Sequence, residues 1–157
     1  MTEPYDHSSI ENLAVWKKAL ELSVLICQDI LPKLPVDERY SLTSQLRRSA
    51  QSIPANIAEG VGRYYYQETI RFCYIARGSL EETYSHIIIA KRLNYLSDIE
   101  IGKVLVLTKE IRKLIAGFIE YLKRSKRGES EPGSQVVIRE GFENYVIGSF
   151  PEDSTDL

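Results

Sequence analysis

Apolar residues recur at helical spacing over most of the chain, and the first such stretch covers residues 10–31. Its apolar positions are three or four residues apart, which is typical of an amphipathic helix with one buried stripe. Prolines at positions 32 and 35 end this helix, because proline lacks an amide hydrogen and restricts the preceding residue. We predict that the buried stripe consists of Leu13, Trp16, Leu20, Val24, Cys27 and Leu31.

A second helix is predicted over residues 37–60. Its first residue, Asp37, has a carboxylate that can cap free backbone amides. Pro54 lies inside this helix. Either the helix kinks near Ser52, or it divides there and places Pro54 in the first turn of a second piece. Gly60 and Gly62 provide the stop, because glycine readily adopts the left-handed conformation at a helix C-terminus.

Two further helices follow, the third over about residues 67–95. We interpret Gly78 within it as a point where another helix backbone crosses closely. Ser97 and Glu100 have the spacing of a capping box, which marks the start of the fourth helix. That helix ends in the cations of residues 123–127. The predicted apolar stripes are Cys73, Ala76, Leu80, Tyr84 and Ile87 on the third helix, and Ile101, Val104, Thr108, Ile111, Ile115, Phe118 and Leu122 on the fourth.

Four long helices joined by short turns predict an all-α fold, an antiparallel up-down-up-down four-helix bundle. The bundle covers residues 10–127 and follows an N-terminal segment, residues 1–9. Residues 128–157 form an irregular, acidic, linker-like C-terminal tail, by their Gly, Pro, Ser and Glu content. The apolar runs at residues 136–138 and 145–147 either dock as extended segments or belong to a disordered tail.

Three stretches are apolar around almost the whole helix: residues 24–27, 87–90 and 104–107. A bundle buries one stripe per helix, so the additional apolar surface needs another cover. We predict a closed, symmetric homo-oligomer. The alternative is that the tail covers the second stripe.

Charge is divided unevenly along the chain. The net charge of the 157 residues is -2, but residues 128–157 contain seven acids and one arginine, a charge of -6, which leaves +4 on residues 1–127. An excess of bases favours binding to RNA or DNA, and oligomerisation would multiply it. Tyr64, Tyr65 and Tyr66 either stack on unpaired bases or wedge into a helix–helix corner. The candidate nucleic-acid-binding residues are Arg47, Arg48, Arg63, Arg71, Arg77, Lys109, Arg112 and Lys113.

The chain lacks a recognisable catalytic set. Its two cysteines and two histidines cannot supply a tetrahedral zinc site. We therefore predict no catalytic residues, no metal and no cofactor. A metal-dependent nuclease that acts through Glu59 and Glu82 is the remaining enzymatic alternative. The prediction for Asn56, Glu59, Ser79 and Glu82 is a structural polar network between the second and third helices.

No apolar run approaches the roughly 20 residues that span a bilayer, and the N-terminus lacks the pattern of a signal peptide. We therefore expect a cytoplasmic protein without a membrane partner. Cys27 and Cys73 are predicted to be free thiols among apolar helical residues.

The segment of residues 45–60, with its Ser-Ile-Pro-Ala-Asn-Ile-Ala-Glu-Gly run, and residues 75–82 resemble the signature segments of a known family. They are similar to the four-helix-bundle proteins encoded in intervening sequences of bacterial 23S ribosomal RNA genes. The same superfamily includes the accessory variability determinant proteins of diversity-generating retroelements. The resemblance covers about residues 10–125. The positions matched, mostly architectural, are Arg47, Arg48, Asn56, Glu59, Gly60, Gly78, Ser79 and Glu82.

The resemblance implies a barrel-like homopentamer. In the retroelement branch it further implies a basic surface that binds nucleic acid and a reverse transcriptase partner. We therefore expect a non-enzymatic, homopentameric, nucleic-acid-binding accessory protein. The alternative is a protein-interaction scaffold with a polypeptide partner and no nucleic-acid role. The acidic tail departs from the compact family pattern, and a tail folded over the basic surface would compete with nucleic acid.

Overall fold

The structure is a computed structural model that describes residues 8–125. Within this range the chain is helical and contains no strand. Its α-helices are α1 (Ser8–Glu11), α2 (Ala14–Leu25), α3 (Leu42–Val61), α4 (Tyr66–Arg92) and α5 (Asp98–Arg124), of which α2 to α5 are long. A π-helical turn (Ile26–Ile30) and a 3-10 turn (Leu31–Lys33) extend α2, and a second 3-10 turn (Val36–Glu38) precedes α3. The acidic tail and residues 1–7 lie outside the described residues.

Helices α2 to α5 form an antiparallel four-helix bundle, which confirms the predicted fold class. Each helix contacts the next around the bundle, in the order α2, α3, α4, α5 and back to α2, and the pair α3–α4 has the most extensive contact. Short connections make consecutive helices antiparallel neighbours. In the part of the chain that the structure describes, no helix combines the length and the apolar character needed to cross a bilayer.

Helix α2 and the turn after it bury a different stripe from the predicted one. Leu20 and Val24 are 40% and 43% exposed, and Trp16 and Cys27 are only partly buried. This part of the prediction was wrong, because the segment has two apolar stripes of similar helical period. Periodicity does not indicate which of them faces the core. The residues that face the core are Val15, Ala19, Leu22, Ile26 and Ile30, and of the predicted stripe only Leu31 is buried.

The stripes of the other helices agree better with the prediction. On α5 every predicted residue is buried except Phe118, which packs partly buried against the core. On α4 the exception is Tyr84, which is 38% exposed. On α4 and α5, spacing thus identified the core face for most positions.

Helix α3 begins at Leu42, five residues later than predicted. Its free amides are served by Glu38, not Asp37. The Glu38 carboxylate accepts hydrogen bonds from the Leu42 amide at 3.3 Å and from the Ser41 hydroxyl. The Tyr95 hydroxyl donates to the other Glu38 oxygen at 3.0 Å. These bonds, with that from Ser41 the strongest, lower the pKa of Glu38. The helix then continues through the buried Pro54 without dividing.

The start of α5 confirms the predicted capping box. The Ser97 amide donates to Glu100 Oε2 at 2.6 Å, and the Glu100 amide donates to Ser97 Oγ at 3.3 Å. The bond from the Ser97 backbone is the main reason that the pKa of Glu100 is lowered to about 2, and the Ser97 hydroxyl and Lys33 add to it. The backbone amide and the hydroxyl group of Ser97 therefore both stabilise the ionised carboxylate of Glu100.

Helix α4 ends in a Schellman motif. Asn94 has a φ of 60°, in the left-handed region. The Tyr95 amide donates to the Ala90 carbonyl, and the Asn94 amide donates to the Lys91 carbonyl, both at 2.9 Å. This pair of bonds satisfies carbonyls that the helix leaves without partners. The helix therefore stops at Arg92, three residues earlier than predicted.

Candidate nucleic-acid interface

The Ser-Ile-Pro-Ala-Asn-Ile-Ala-Glu-Gly segment lies in α3 and faces α4 at close range. A Cβ atom added at Gly60 would lie 2.8 Å from Phe72 Cβ and 3.2 Å from the Thr69 carbonyl oxygen. The Thr69 hydroxyl also donates to the Gly60 carbonyl at 2.8 Å. Gly60 is therefore the position where the two helix backbones require a residue without a side chain.

Gly78 does not have this role within the protomer, so its interpretation as a helix-crossing point is corrected. The residue is exposed on α4, and an added Cβ would meet no atom within 4 Å among the described residues. The crossing between α3 and α4 occurs nearer the N-terminus of α4, opposite Gly60. A glycine within a helix does not by itself indicate which of its sides a neighbour approaches.

A chain of small polar side chains joins α3 to α4. Ser52 Oγ and Ser79 Oγ are 2.9 Å apart, and Asn56 Nδ2 donates to the carbonyl and the hydroxyl oxygen of Ser52, each at 2.8 Å. One turn away, the Thr83 hydroxyl donates to Ser49 Oγ at 3.0 Å. Ser49, Ser52 and Thr83 were not predicted to belong to the network. The sequence contained an indication of the two serines, because Ser49 and Ser52 precede Asn56 by seven and four residues and therefore lie on the same face of the helix.

Glu59 and Glu82 lie outside this chain of hydrogen bonds. Glu59 forms an ion pair with Arg63 at the surface. Glu82 Oε1 lies 3.3 Å from Arg48 Nη2 and 3.6 Å from His86 Nε2. Both carboxylates are about half exposed, where cations and water stabilise them better than hydroxyl groups would. Residues 8–125 contain no group of three or more His, Cys, Asp or Glu side chains that is arranged to hold a metal ion.

Several of the candidate cations are neutralised within the protomer. Arg112 makes a bidentate pair with Glu81, at 2.7 Å from Nε and 2.8 Å from Nη2, and the hydrogen bond to Glu81 raises the pKa of Arg112. Arg48 is paired with Glu82, and Arg63 with Glu59. A cation held by a carboxylate offers less attraction to a phosphate, because the two charges largely cancel at a distance.

One aromatic ring interacts with two cations at the surface of α4 and α5. The Arg77 guanidinium lies 4.7 Å from the centre of the Tyr74 ring, and the Lys123 ammonium donates to the Tyr74 hydroxyl at 3.1 Å. Such a contact holds a cation in place without supplying a negative charge. Arg77 is thus positioned by Tyr74 on the outer side of the bundle.

Four candidate cations have no carboxylate partner among residues 8–125 and are exposed: Arg47, Arg71, Lys109 and Lys113. Arg47 contacts Cys27, whose Sγ lies 4.0 Å from Arg47 Nη1. Lys109 and Lys113 are one turn apart on α5. Within residues 8–125, therefore, no carboxylate competes with an external anion for these four side chains.

The candidate cations do not form one continuous surface on a single protomer. Arg47 is on α3 and Lys113 is on α5, and these helices are diagonal in the bundle. Four further exposed cations without a carboxylate partner in the described chain were not among the candidates: Lys17, Arg39, Arg92 and Lys103. Lys103 precedes Lys113 by ten residues, so the two side chains are about 80° apart around α5 and do not share one side of the helix.

The three consecutive tyrosines take different positions at the turn between α3 and α4. Tyr64 is 88% exposed, and its ring meets that of Tyr65 edge to face at 5.1 Å. Tyr66 is partly buried against the core. Tyr66 thus agrees with the corner interpretation, and stacking of these tyrosines on unpaired bases stays a prediction. Tyr66 wedges into the corner, and Tyr64 presents a ring to solvent.

Comparison with known proteins agrees with this architecture. A family model described as 23S rRNA-intervening sequence protein matches residues 11–117. A crystal structure of a protein of unknown function from the S23 ribosomal protein family of Bacteroides thetaiotaomicron VPI-5482 is 28% identical, with a TM-score of 0.62. The match covers 68% of this chain and 99% of that chain. No curated protein gives a significant sequence match. The chain belongs to the family of 23S rRNA-intervening sequence proteins.

Proposed function

We propose that this chain is a non-enzymatic, homopentameric protein of the cytoplasm that binds RNA or DNA through exposed cations. The observation that carries the proposal is a set of exposed cations that have no carboxylate partner among residues 8–125: Arg47, Arg71, Lys109 and Lys113. The family's description, which refers to ribosomal RNA, favours RNA as the first ligand to examine.

Assembly is supported by apolar side chains that remain at the surface of the protomer. Each of the three stretches that are apolar all round the helix leaves one residue exposed: Val24 (43%), Ile89 (43%) and Val106 (67%). Ile89 and Val106 lie on α4 and α5, the helices that also contain Arg71, Lys109 and Lys113. Contact between protomers near α4 and α5 would bring cations of adjacent subunits together. A ring of five would then join separate clusters into one band for phosphates.

Binding is tested by fluorescence anisotropy with a labelled RNA hairpin over a series of salt concentrations. Each phosphate contact releases condensed counterions, so the logarithm of the affinity falls linearly with the logarithm of the salt concentration. We expect saturable binding at low salt and a steep loss as salt rises. Absence of saturable binding at low salt would exclude this function.

The cation set is tested by two matched variants on one helix. Replacement of Lys109 and Lys113 by Gln removes two charges that have no carboxylate partner in the described part of the chain, and we expect weaker binding. The slope of the salt dependence should decrease by about 1 for each phosphate that the variant no longer binds. Arg112→Gln is the control, since Glu81 already neutralises Arg112. An equal or larger effect of Arg112→Gln would place the interface elsewhere.

The retroelement setting is a separate part of the proposal. The resemblance implies a reverse transcriptase as protein partner, and co-expression followed by affinity purification after nuclease treatment tests it. Recovery of both proteins after nuclease treatment supports a direct contact, and recovery of this chain alone removes the retroelement role. If the chain bound no nucleic acid but retained a polypeptide partner, the scaffold alternative would replace the first proposal.

A further inference from the structure

The apolar stripe of α2 that faces away from the core lines a groove on the surface of the bundle. The groove has a volume of about 540 Å³ and lies between α2 and α3. Its floor and walls are mostly apolar, and the Cys27 thiol lies in it. Leu20 and Val24, both about 40% exposed, are on its α2 side. The lining residues used below are Trp16, Leu20, Val24, Cys27 and Ala58.

A second depression, of about 290 Å³, shares the lining residue Cys27 with the first, and the groove comprises both. This part is lined by Leu34 and Val36 and by two cations, Arg39 and Arg47. Neither cation has a carboxylate partner in residues 8–125. The whole groove is thus apolar at the end marked by Trp16 and Ala58 and basic at the other end.

We propose that this groove is the docking site for residues 136–143 of the same chain. In this arrangement the apolar residues 136–138 occupy the part lined by Leu20 and Val24. Glu140 and Glu143 then reach the basic end, where Arg39 and Arg47 receive them. The proposal concerns the cover of an apolar surface and does not depend on nucleic-acid binding.

The chain leaves the bundle at the required end of the groove. Glu110 of α5 meets Lys18 at 3.6 Å, and Glu100 meets Lys33 at 3.2 Å, so α5 runs antiparallel to α2. The end of α5 therefore lies at the end of the bundle where Trp16 is found. The linker of residues 126–135 can span about 33 Å when extended, which is enough to return to the groove.

The length of the groove and the order of its apolar and basic parts both match residues 136–143 in an extended conformation. From Ala58 to Thr43 the groove follows α3 for about 22 Å, at the helical rise per residue. Residues 136–143 in an extended conformation cover about 23 Å. The apolar run comes first along the tail and the two glutamates follow, which is the same order as apolar and basic surface along the groove.

The rate of thiol modification at Cys27 reports whether the groove is covered. The chain has two cysteines, and Cys73 is 1% exposed. Burial also raises the pKa of the Cys73 thiol to about 12, so the folded protein reacts at Cys27. The full-length protein is treated with N-ethylmaleimide, and the modified fraction is followed by intact mass. A Cys27→Ser variant that stays unmodified confirms the assignment.

Two point variants of the full-length chain separate the docked run from the second apolar run of the tail. We expect Val137→Asp to raise the modification rate of Cys27 about tenfold, since a charge in the apolar groove opposes docking. Val146→Asp is the matched control and should leave the rate unchanged. An unchanged rate in Val137→Asp, or an increase confined to Val146→Asp, would overturn the proposal.

A charge reversal tests the basic end of the groove independently. Glu140→Lys with Glu143→Lys should also raise the rate, and Glu152→Lys with Asp153→Lys should not. Each rate is measured at two protein concentrations. If protection of Cys27 disappeared on dilution and did not respond to any tail variant, a second copy of the chain would be the cover. Rapid modification in the unaltered protein would show an open groove. Both results contradict the proposal.

Discussion

Small side chains at a few positions set the distance between α3 and α4. Gly60 allows the closest backbone approach, and Ser52, Asn56 and Ser79 fill the adjacent space with hydrogen bonds. The Ser-Ile-Pro-Ala-Asn-Ile-Ala-Glu-Gly run is therefore explained by packing. Ile53, Pro54 and Ile57 of this run are buried, and its small polar residues face α4. The carboxylate of Glu59 in the same run is at the surface with Arg63.

We expect replacement by alanine to change the free energy of unfolding in opposite directions at Gly60 and at Gly78. Gly60→Ala places a Cβ 2.8 Å from Phe72 Cβ, so we expect a loss of about 1–3 kcal/mol of unfolding free energy. Gly78→Ala adds a methyl group to an exposed helix position and should stabilise the protein by up to about 1 kcal/mol. Urea unfolding measures both. Destabilisation by Gly78→Ala would mean that another surface packs on this side of α4.

Asn94 is the other residue whose backbone conformation restricts what can replace it. Because its φ is 60°, Asn94→Val should cost about 1–2 kcal/mol, whereas Asn94→Gly should be neutral or slightly stabilising. Thermal unfolding of the two variants and the unaltered chain compares them directly. Equal midpoints for Val and Gly would show that the end of α4 rearranges.

At the scale of elements, carboxylates near the N-termini of two helices determine where these helices begin. Glu38 serves the amide of Leu42 at α3, and Glu100 completes the capping box with Ser97 at α5. The box was recognisable because its residue types and spacing are local. The role of Glu38 was not, because its bond from Tyr95 joins residues 57 positions apart in the chain.

The capping box predicts a specific dependence of stability on pH. The pKa of Glu100 is lowered from 4.5 to about 2, so its contribution is present above pH 4.5 and is lost as the pH falls toward 2. Glu100→Gln lacks an ionisable group at this position. We expect the difference in Tm between the unaltered chain and the variant to be largest above pH 5 and to decrease toward pH 2. A difference that stayed constant over this range would contradict the assignment.

At the scale of the whole molecule, the protomer leaves two kinds of surface without a partner in the described residues. One is apolar, at α2–α3 and on the outer sides of α4 and α5. The other is basic and divided between helices that are diagonal in the bundle. Assembly and tail docking would cover the apolar surface, and assembly would connect the basic surface. If the tail docks as proposed, two of its acidic residues lie against the basic end of the groove between α2 and α3.

The proposed homopentamer has a defined mass, since five chains of 18.0 kDa give 90 kDa. Val106 is 67% exposed in the protomer, so we expect Val106→Asp to lower the oligomer mass without loss of helix content. Ile99→Asp, at a side chain 92% exposed at the start of α5, is the control and should retain the pentamer. Sedimentation velocity and circular dichroism measure the two properties. A monomeric mass for the unaltered chain would exclude the pentamer.

The sequence by itself determined the helical class, the number of long helices, the stripes of α4 and α5 and the cap of α5. These depend on spacing and on contacts within a few residues, which are readable along the chain. Only the tertiary structure decided which stripe of α2 faces the core, which glycine lies at a helix crossing and which cations have a carboxylate partner. Each of those depends on residues that are distant in sequence, such as Glu81 for Arg112 and Phe72 for Gly60.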